Sequence, residues 1–491
     1  MRPLLYSYSC YLLTLLLLSS LAGCTRAPRY QAPDVASPPA WKNAPQAAAA
    51  PLPAPAPATV AQQPAIPAWW TVFNDPELTK LAEQTLGGNF SLKSAVARVD
   101  EARAAIRVAT STRQPEVTLD PQAYITRLSG LRPVPFALGG ENGGATPTNG
   151  ITQTQYYVPL NVSYEVDVWG RLRRGVQAAR AESEASEAEL RTVQLSLTAD
   201  GATYYFGIRG LDAELAVLDS TLLARRQSLA LTNARFTAGV DNEIAVRRAE
   251  TELATVEASL FEAQRQRKGL EAALATVTGQ TASAFTLAPR RGPLNAPQVP
   301  ASVPAALLTT RPDLLQAERL LAATDSRLDA ARLARLPTLL LNGFIGPQAA
   351  DLRDLPRISD NYTYYLGGGI SIPVFNGGRL RANQQIAQAR YDAQAAEYRQ
   401  RALVAFKEVE TALADVQQTA AQLAAQQRAL TAARQAGRLT LERYRRGLAD
   451  YFQVVDADRI TLNAARQRVQ TQANQLRYTV QLVRALGGNW E

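Results

Sequence analysis

The second half of the chain re-reads the first at one fixed spacing. Gly170-Arg171-Leu172-Arg173 returns as Gly378-Arg379-Leu380-Arg381, an offset of 378 − 170 = 208. Arg235-Phe236-Thr237-Ala238-Gly239-Val240 returns as Arg443-Tyr444-Arg445-Arg446-Gly447-Leu448, and 447 − 239 is again 208. Leu274 and Gly279 match Leu482 and Gly487 at the same offset. A register that never slips over more than a hundred residues implies a duplicated unit in which helix length itself is fixed. Such a unit spans a set distance.

The segments between these markers read as helices. Residues 171–238 contain no proline and are dominated by alanine, glutamate, arginine and leucine. At about 1.5 Å per residue they make a rod of roughly 100 Å, repeated at 379–446. Return arms run from about 242 to 278 and from 450 to 486. Apolar residues fall three and four apart, as in Leu211, Leu215, Leu218 and Leu222, or Leu476, Val480 and Val483. These are narrow coiled-coil seams with polar flanks. Gly239 and Gly447 suit a positive φ just past a helix C-terminus, and the arginines before them favour that end of the dipole. Asp450 with Gln453 forms a capping box opening the last arm.

Between the helices lie strands. Tyr156, Val158, Leu160, Val162, Tyr164, Val166 and Val168 alternate with Gln155, Asn161, Ser163, Glu165 and Asp167. Tyr362, Tyr364, Leu366, Ile370, Ile372 and Val374 alternate with Asn361, Thr363 and Ser371. Partner strands are expected at 115–128 and 337–346, giving two isolated hairpins, with the loop Gly139-Gly140-Glu141-Asn142-Gly143-Gly144 inside the first. Tyrosines gather near one end of each run, as in an interfacial girdle. Four strands cannot close a barrel, and lipid does not tolerate an open edge. Insertion in a membrane would therefore require several copies to pool their hairpins.

Composition narrows the chemistry. Lys and Arg number 52 against 43 Asp and Glu, without a basic block, which argues for a solvated mixed surface over nucleic-acid binding. The chain has no histidine, which removes imidazole-based catalysis and metal ligation, and no Gly-rich phosphate loop or nucleophile elbow is present. Both cysteines, Cys10 and Cys24, lie at the extreme N-terminus, so no metal and no cofactor is expected. Arg2 and the short apolar run at 12–18 form a signal-peptide core, ending in Leu21-Ala22-Gly23-Cys24. Eleven prolines between Ala27 and Ala68 suggest an extended tether, with the folded body starting at Trp69-Trp70.

Leu21-Ala22-Gly23-Cys24 resembles a bacterial lipobox, which implies acylation of Cys24; Thr25 after it favours the outer membrane. Four further pieces carry a wider resemblance. They are Trp69-Trp70 with Asp75-Pro76-Glu77-Leu78, Val168-Trp169-Gly170-Arg171, Arg311-Pro312-Asp313-Leu314, and Pro373-Val374-Phe375-Asn376-Gly377-Gly378. In this order they resemble the TolC-like outer membrane factors, in the acylated subgroup serving resistance-nodulation-division efflux. The resemblance implies an α+β membrane protein: a homotrimer whose twelve strands, four per protomer, form an outer-membrane β-barrel continuous with a periplasmic α-helical barrel. It implies as partners a periplasmic adaptor protein and an inner-membrane resistance-nodulation-division transporter, beside outer-membrane lipid.

The expected division is a signal peptide at 1–23, a tether at 24–68, a first repeat at 69–279, a connecting segment at 280–310 and a second repeat at 311–491. Gly170, Arg171, Gly378 and Arg379 mark the strand-to-helix junctions. The resemblance places Gly239, Val240, Gly447 and Leu448 at tips that meet the adaptor. Val454-Val455-Asp456-Ala457 resembles the family's gate motif, which implies a ring of Asp456 carboxylates preferring cations, weakened by Gln453 where the family often has a second aspartate. Asp456 faces Arg248 across the repeat. Two other readings fit: the channel of a type I protein-secretion system, and a periplasm-spanning lipoprotein that conducts nothing. A carboxylate-based enzyme fits less well, since no paired acids stand out.

Overall fold

A computed structural model describes residues 30–35, 37–43, 68–129, 150–290, 292, 295–297 and 304–488. After a 3-10 turn at Trp69–Phe73 come α1 (Pro76–Gly88), α2 (Phe90–Ser111), β1 (Glu116–Leu119), β2 (Gln122–Leu128), β3 (Ile151–Tyr157) and β4 (Leu160–Val166). Then follow α3 (Arg171–Thr237), α4 (Glu243–Val277), α5 (Pro304–Thr310), α6 (Pro312–Leu333) and β5 (Thr338–Ala349). The chain ends with the short α7 (Ile358–Asn361), β6 (Tyr362–Ser371), α8 (Arg379–Arg445) and α9 (Tyr451–Ala485). The described residues group into two compact units, one containing Ala102–Glu182 and Leu321–Ala393, the other Ser183–Leu320 and Gln394–Glu491.

The long helices match residue for residue. Helices α3 and α8 each have 67 residues, α4 and α9 each 35, and both pairs start 208 apart. Matched caps set these lengths. Gly239 (φ 70°) donates to Phe236 O while Val240 donates to Arg235 O; Gly447 (φ 77°) and Leu448 do the same to Tyr444 and Arg443. This is the Schellman pattern, which satisfies the last carbonyls and needs a residue free to adopt positive φ. Asn242 then accepts from the Ala245 N–H at 3.1 Å, and Asp450 from the Gln453 N–H at 2.9 Å, opening the return helices.

The first unit is built on a sheet that reads as four long antiparallel strands. Segments β1 and β2 are one strand interrupted at Asp120-Pro121; β3 and β4 are another interrupted at Val158-Pro159. Register is kept across both breaks, since Glu116 pairs with Ser163 and Gln122 with Tyr157. By the same register Pro121 faces Val158 and Pro159 faces Asp120, and lacking N–H groups the two prolines interrupt both ladders at the same level. The Asp120 N–H still reaches Pro159 O at 3.2 Å. The expectation of isolated hairpins needs correction: β4 pairs with β5 from Leu160↔Ile345 to Val166↔Leu339, so one sheet contains both. The other neighbour of β5 is β6, which stops at Ser371 and leaves Ile372 and Val374 beyond it.

The second unit is held by helix packing. Trp69, Trp70, Leu78, Leu195, Tyr205 and Phe206 share one buried cluster with Leu476 and Val480. A second cluster joins Leu314, Ala402, Phe406 and Leu482, and here a further correction is required. Trp41, placed by sequence reasoning in a free tether, is buried in that cluster with its ring 6.1 Å from Phe406. The backbone N–H groups of Lys42 and Asn43 both donate to the Glu410 carboxylate, at 2.7 and 3.1 Å. The folded body therefore begins upstream of Trp69. In the other unit, Tyr30 packs on Ala181, Ala322 and Ala323. The signal peptide, Cys24 and the Gly139–Gly144 loop lie outside the described residues.

Candidate functional site

Three surfaces carry the expected function: the sheet, the strand-to-helix junctions and the helix turns. On the sheet, cross-strand partners share a face, so register sorts every side chain. Val117, Val162 and Gly343 fall on one side with Leu366; so do Leu119, Leu160, Ile345 and Tyr364. Most of this side is exposed, with Ile370 at 69% and Leu366 at 85%. The opposite side carries Glu116, Thr118, Asn161, Ser163 and Asn342 with small Gly367 and Gly369. Tyr156, Tyr362 and Tyr364 gather at one end, where Tyr362 and Tyr364 stack at 6.2 Å. A large exposed apolar face in water would be an aggregation surface, whereas facing lipid it is satisfied. Both outer strands, β1/β2 and β6, have one edge without a strand neighbour among the described residues.

At the junctions the backbone turns sharply into the helices. Gly170 (φ 87°) and Gly378 (φ 84°) each precede the first residue of a 67-residue helix, Arg171 and Arg379. The solutions differ in detail. Asp167 accepts from the N–H groups of Leu172 and Arg173 at 3.0 and 2.8 Å, and Arg171 pairs with Glu165. In the second junction Asn376 Oδ1 accepts from Leu380 N–H at 3.4 Å, and Arg379 is exposed.

At the turns, Val240 and Leu448 are both exposed, at 64% and 65%, directly after their glycines. The two turns also touch each other's repeat. The Tyr444 hydroxyl donates to Asp241 Oδ2 at 2.7 Å, and Arg235 pairs with the same oxygen at 3.1 Å. Burial, and then this hydrogen bond, push the Tyr444 hydroxyl up to about 12. Tyr444, Tyr451, Val454 and Val455 bury together with Ala245 and Ala249, so the second turn leans on the first return helix.

Gln453 and Asp456 are both exposed on α9, and Asp450 uses the Gln453 N–H as its cap partner. Arg248 lies over the ring of Phe452, 5.1 Å from its centroid. Sequence reasoning missed a neighbour of Asp456. Arg225, only 2% exposed, donates to Asp458 at 3.0 Å and sits 3.6 Å from Glu252. Burial raises the Asp458 carboxyl, against the pull of Arg225. No repeat signal could have flagged this pair, because Arg225 matches Ala433 and Asp458 matches Glu250. Among the described residues, no cluster of acids is placed to hold a metal and no helix is long and apolar enough to cross a membrane.

This geometry has relatives. The family described as outer membrane efflux protein matches residues 81–280 and 303–488. The pyoverdine export outer membrane protein OpmQ of Pseudomonas putida is 32% identical over 447 residues, covering 90% of this chain and 93% of the relative. The toluene efflux pump outer membrane protein TtgI, also of Pseudomonas putida, is 33% identical over 475 residues, covering 96% of each. The solved structure of the outer-membrane channel OprN superposes with a TM-score of 0.82 at 31% identity, covering 95% of this chain and all of the other. The chain belongs to the outer membrane efflux protein family, and its place is the outer membrane.

Proposed function

We propose that this protein is the outer-membrane exit duct of a tripartite efflux pump, working as a homotrimer. The observation that carries the reading is the sheet: among the described residues it has four long strands, an exposed apolar face, and an edge without a strand neighbour on each side. Three copies would supply twelve strands and leave no edge open to lipid. Helices α3 and α8, about 100 Å long at 1.5 Å per residue, would line a shared tunnel. Acylation of Cys24 would anchor each copy in the leaflet.

The duct is passive, and energy comes from an inner-membrane transporter of the resistance-nodulation-division type. The turns at Gly239-Val240 and Gly447-Leu448 meet the periplasmic adaptor that joins them. Relatives named for pyoverdine and toluene point to small molecules as cargo, with the pump choosing among them. Asp456 from three copies would form an anionic ring at the periplasmic mouth; Gln453 adds no charge to it.

Purified in detergent, the protein should have the mass of three chains and conduct in planar bilayers. A non-conducting single chain would overturn the duct. Asp456→Ala should raise conductance and weaken cation preference; if neither changes, Asp456 is not the ring.

A further inference from the structure

The two turns differ in how their charges are satisfied. Residues 217–257, around the first turn, hold five arginines and six acids, a net of −1. The matching residues 425–465 hold seven arginines and four acids, a net of +3. Around the first turn every arginine has a partner. Arg225 pairs with Asp458 and Glu252, Arg226 with Glu257, Arg235 with Asp241, and Arg247 with Glu243 and Glu250. Arg248 rests on the Phe452 ring.

Around the second turn this pairing is incomplete. Arg428, Arg434, Arg438 and Arg446 are exposed, and none has an ion-pair partner among the described residues. Arg434 and Arg438 stand one helical turn apart, on one face of α8. Exposed Leu439 directly follows Arg438, and exposed Leu448 comes two residues after Arg446. Arg438 and Arg446 match Ala230 and Ala238 in the first repeat, and Arg434 matches Arg226, which pairs with Glu257, so cations without an ion-pair partner belong to the second repeat.

We infer that the second-repeat turn is a docking surface for an acidic, amphipathic segment of the periplasmic adaptor, and that the first-repeat turn meets the adaptor without pairing charges with it. The inference rests on the reading of the turns as adaptor contacts and adds the chemistry of the contacting segment. Unpaired guanidinium groups beside exposed apolar side chains suit a helix with carboxylates flanking an apolar stripe. A neighbouring copy of this chain is a poor match. The acids of its first turn that could approach, Asp241, Glu243, Glu250, Glu252 and Glu257, are already paired.

The test uses the full chain in its own cells, with a benzophenone amino acid at position 438 or at position 230. Cross-linked segments are sequenced by mass spectrometry. At 438 the captured segment should carry more Asp and Glu than Lys and Arg, and its yield should fall about tenfold with Arg434→Glu/Arg446→Glu, as for a loss of about 1.4 kcal/mol. At 230 the yield should not respond to that double change. Bilayer conductance of the variant checks its folding, and Arg434→Gln/Arg446→Gln should give a smaller drop if the Glu variant does not assemble. A neutral or basic segment at 438, a second copy of this chain there, or an unchanged yield overturns the acidic-partner inference. Absence of any other protein at both positions overturns the adaptor reading itself.

Discussion

The two helical pairs share length and caps but are held by different chemistry. The first pair is tied by buried charge. Asp212, with a side chain 1% exposed, accepts from Arg209 and Arg267 at 2.7 Å each, and Glu77 also pairs with Arg209. In the second pair the offset partners of Arg209, Asp212 and Arg267 are Gln417, Ala420 and Gln475. There α8 and α9 share an apolar cluster of Ala402, Ala405, Phe406, Leu482 and Ala485. Helix length is set at the ends by caps, so the interior can change chemistry without shifting the register. That leaves one repeat free to specialise while the two turns stay in step.

Each pair is also covered by a tryptophan at the same height. Trp69 Nε1 donates to Thr198 Oγ1 at 3.2 Å, and Trp41 packs on Phe406, which is the offset partner of Thr198. The first tryptophan belongs to its own repeat, whereas the second is delivered from the N-terminal segment. One architecture is completed by two routes.

The sharpest break in the comparison is Asp212→Ala. It removes the buried carboxylate shared by Arg209 and Arg267, leaving them only Glu77 and Glu271, and should cost about 3 kcal/mol, read as an earlier loss of helical circular dichroism on heating. Gln417→Ala, the exposed offset partner of Arg209, should cost less than about 0.5 kcal/mol. Equal shifts would mean that the buried charges do not distinguish the pairs.

Next in size is Trp41→Ala, which should cost about 3 kcal/mol through the cavity it leaves beside Phe406. Trp69→Ala should match or exceed it, since Trp69 loses its hydrogen bond as well. A silent Trp41→Ala would restore the picture of a free tether.

The smallest effect sharpens the contact between the turns. Tyr444→Phe removes the donor to Asp241 and should cost about 1 kcal/mol. Because the folded protein holds the Tyr444 hydroxyl up to about 12, above its ordinary value of 10, the protonated form is the one stabilised. The difference between wild type and Tyr444→Phe should therefore be constant below pH 10 and vanish as pH rises through 12. A difference that persists at high pH would assign the effect to packing.

Much of this was legible beforehand because it depends on local pattern. Gly239 and Gly447 need positive φ whatever surrounds them, and Asn242 and Asp450 cap whatever helix follows. Alternation at 156–166 fixes which side chains share a face, and pairing left those faces intact. What could not be read were contacts across long separations. Arg225 with Asp458 joins residues 233 apart, and Trp41 reaches Phe406 from within a proline-rich stretch that has no periodicity to reveal it.

The sequence by itself determined the lengths, ends and faces of the elements, because a cap, a turn glycine and an alternating strand act within a few residues. Tertiary structure decided which strands join into one sheet, which arginines are neutralised and which are left open, and where the folded body begins. Those outcomes depend on burial and on partners brought close only by folding, where a charge one helix turn away and a charge 233 residues away count equally.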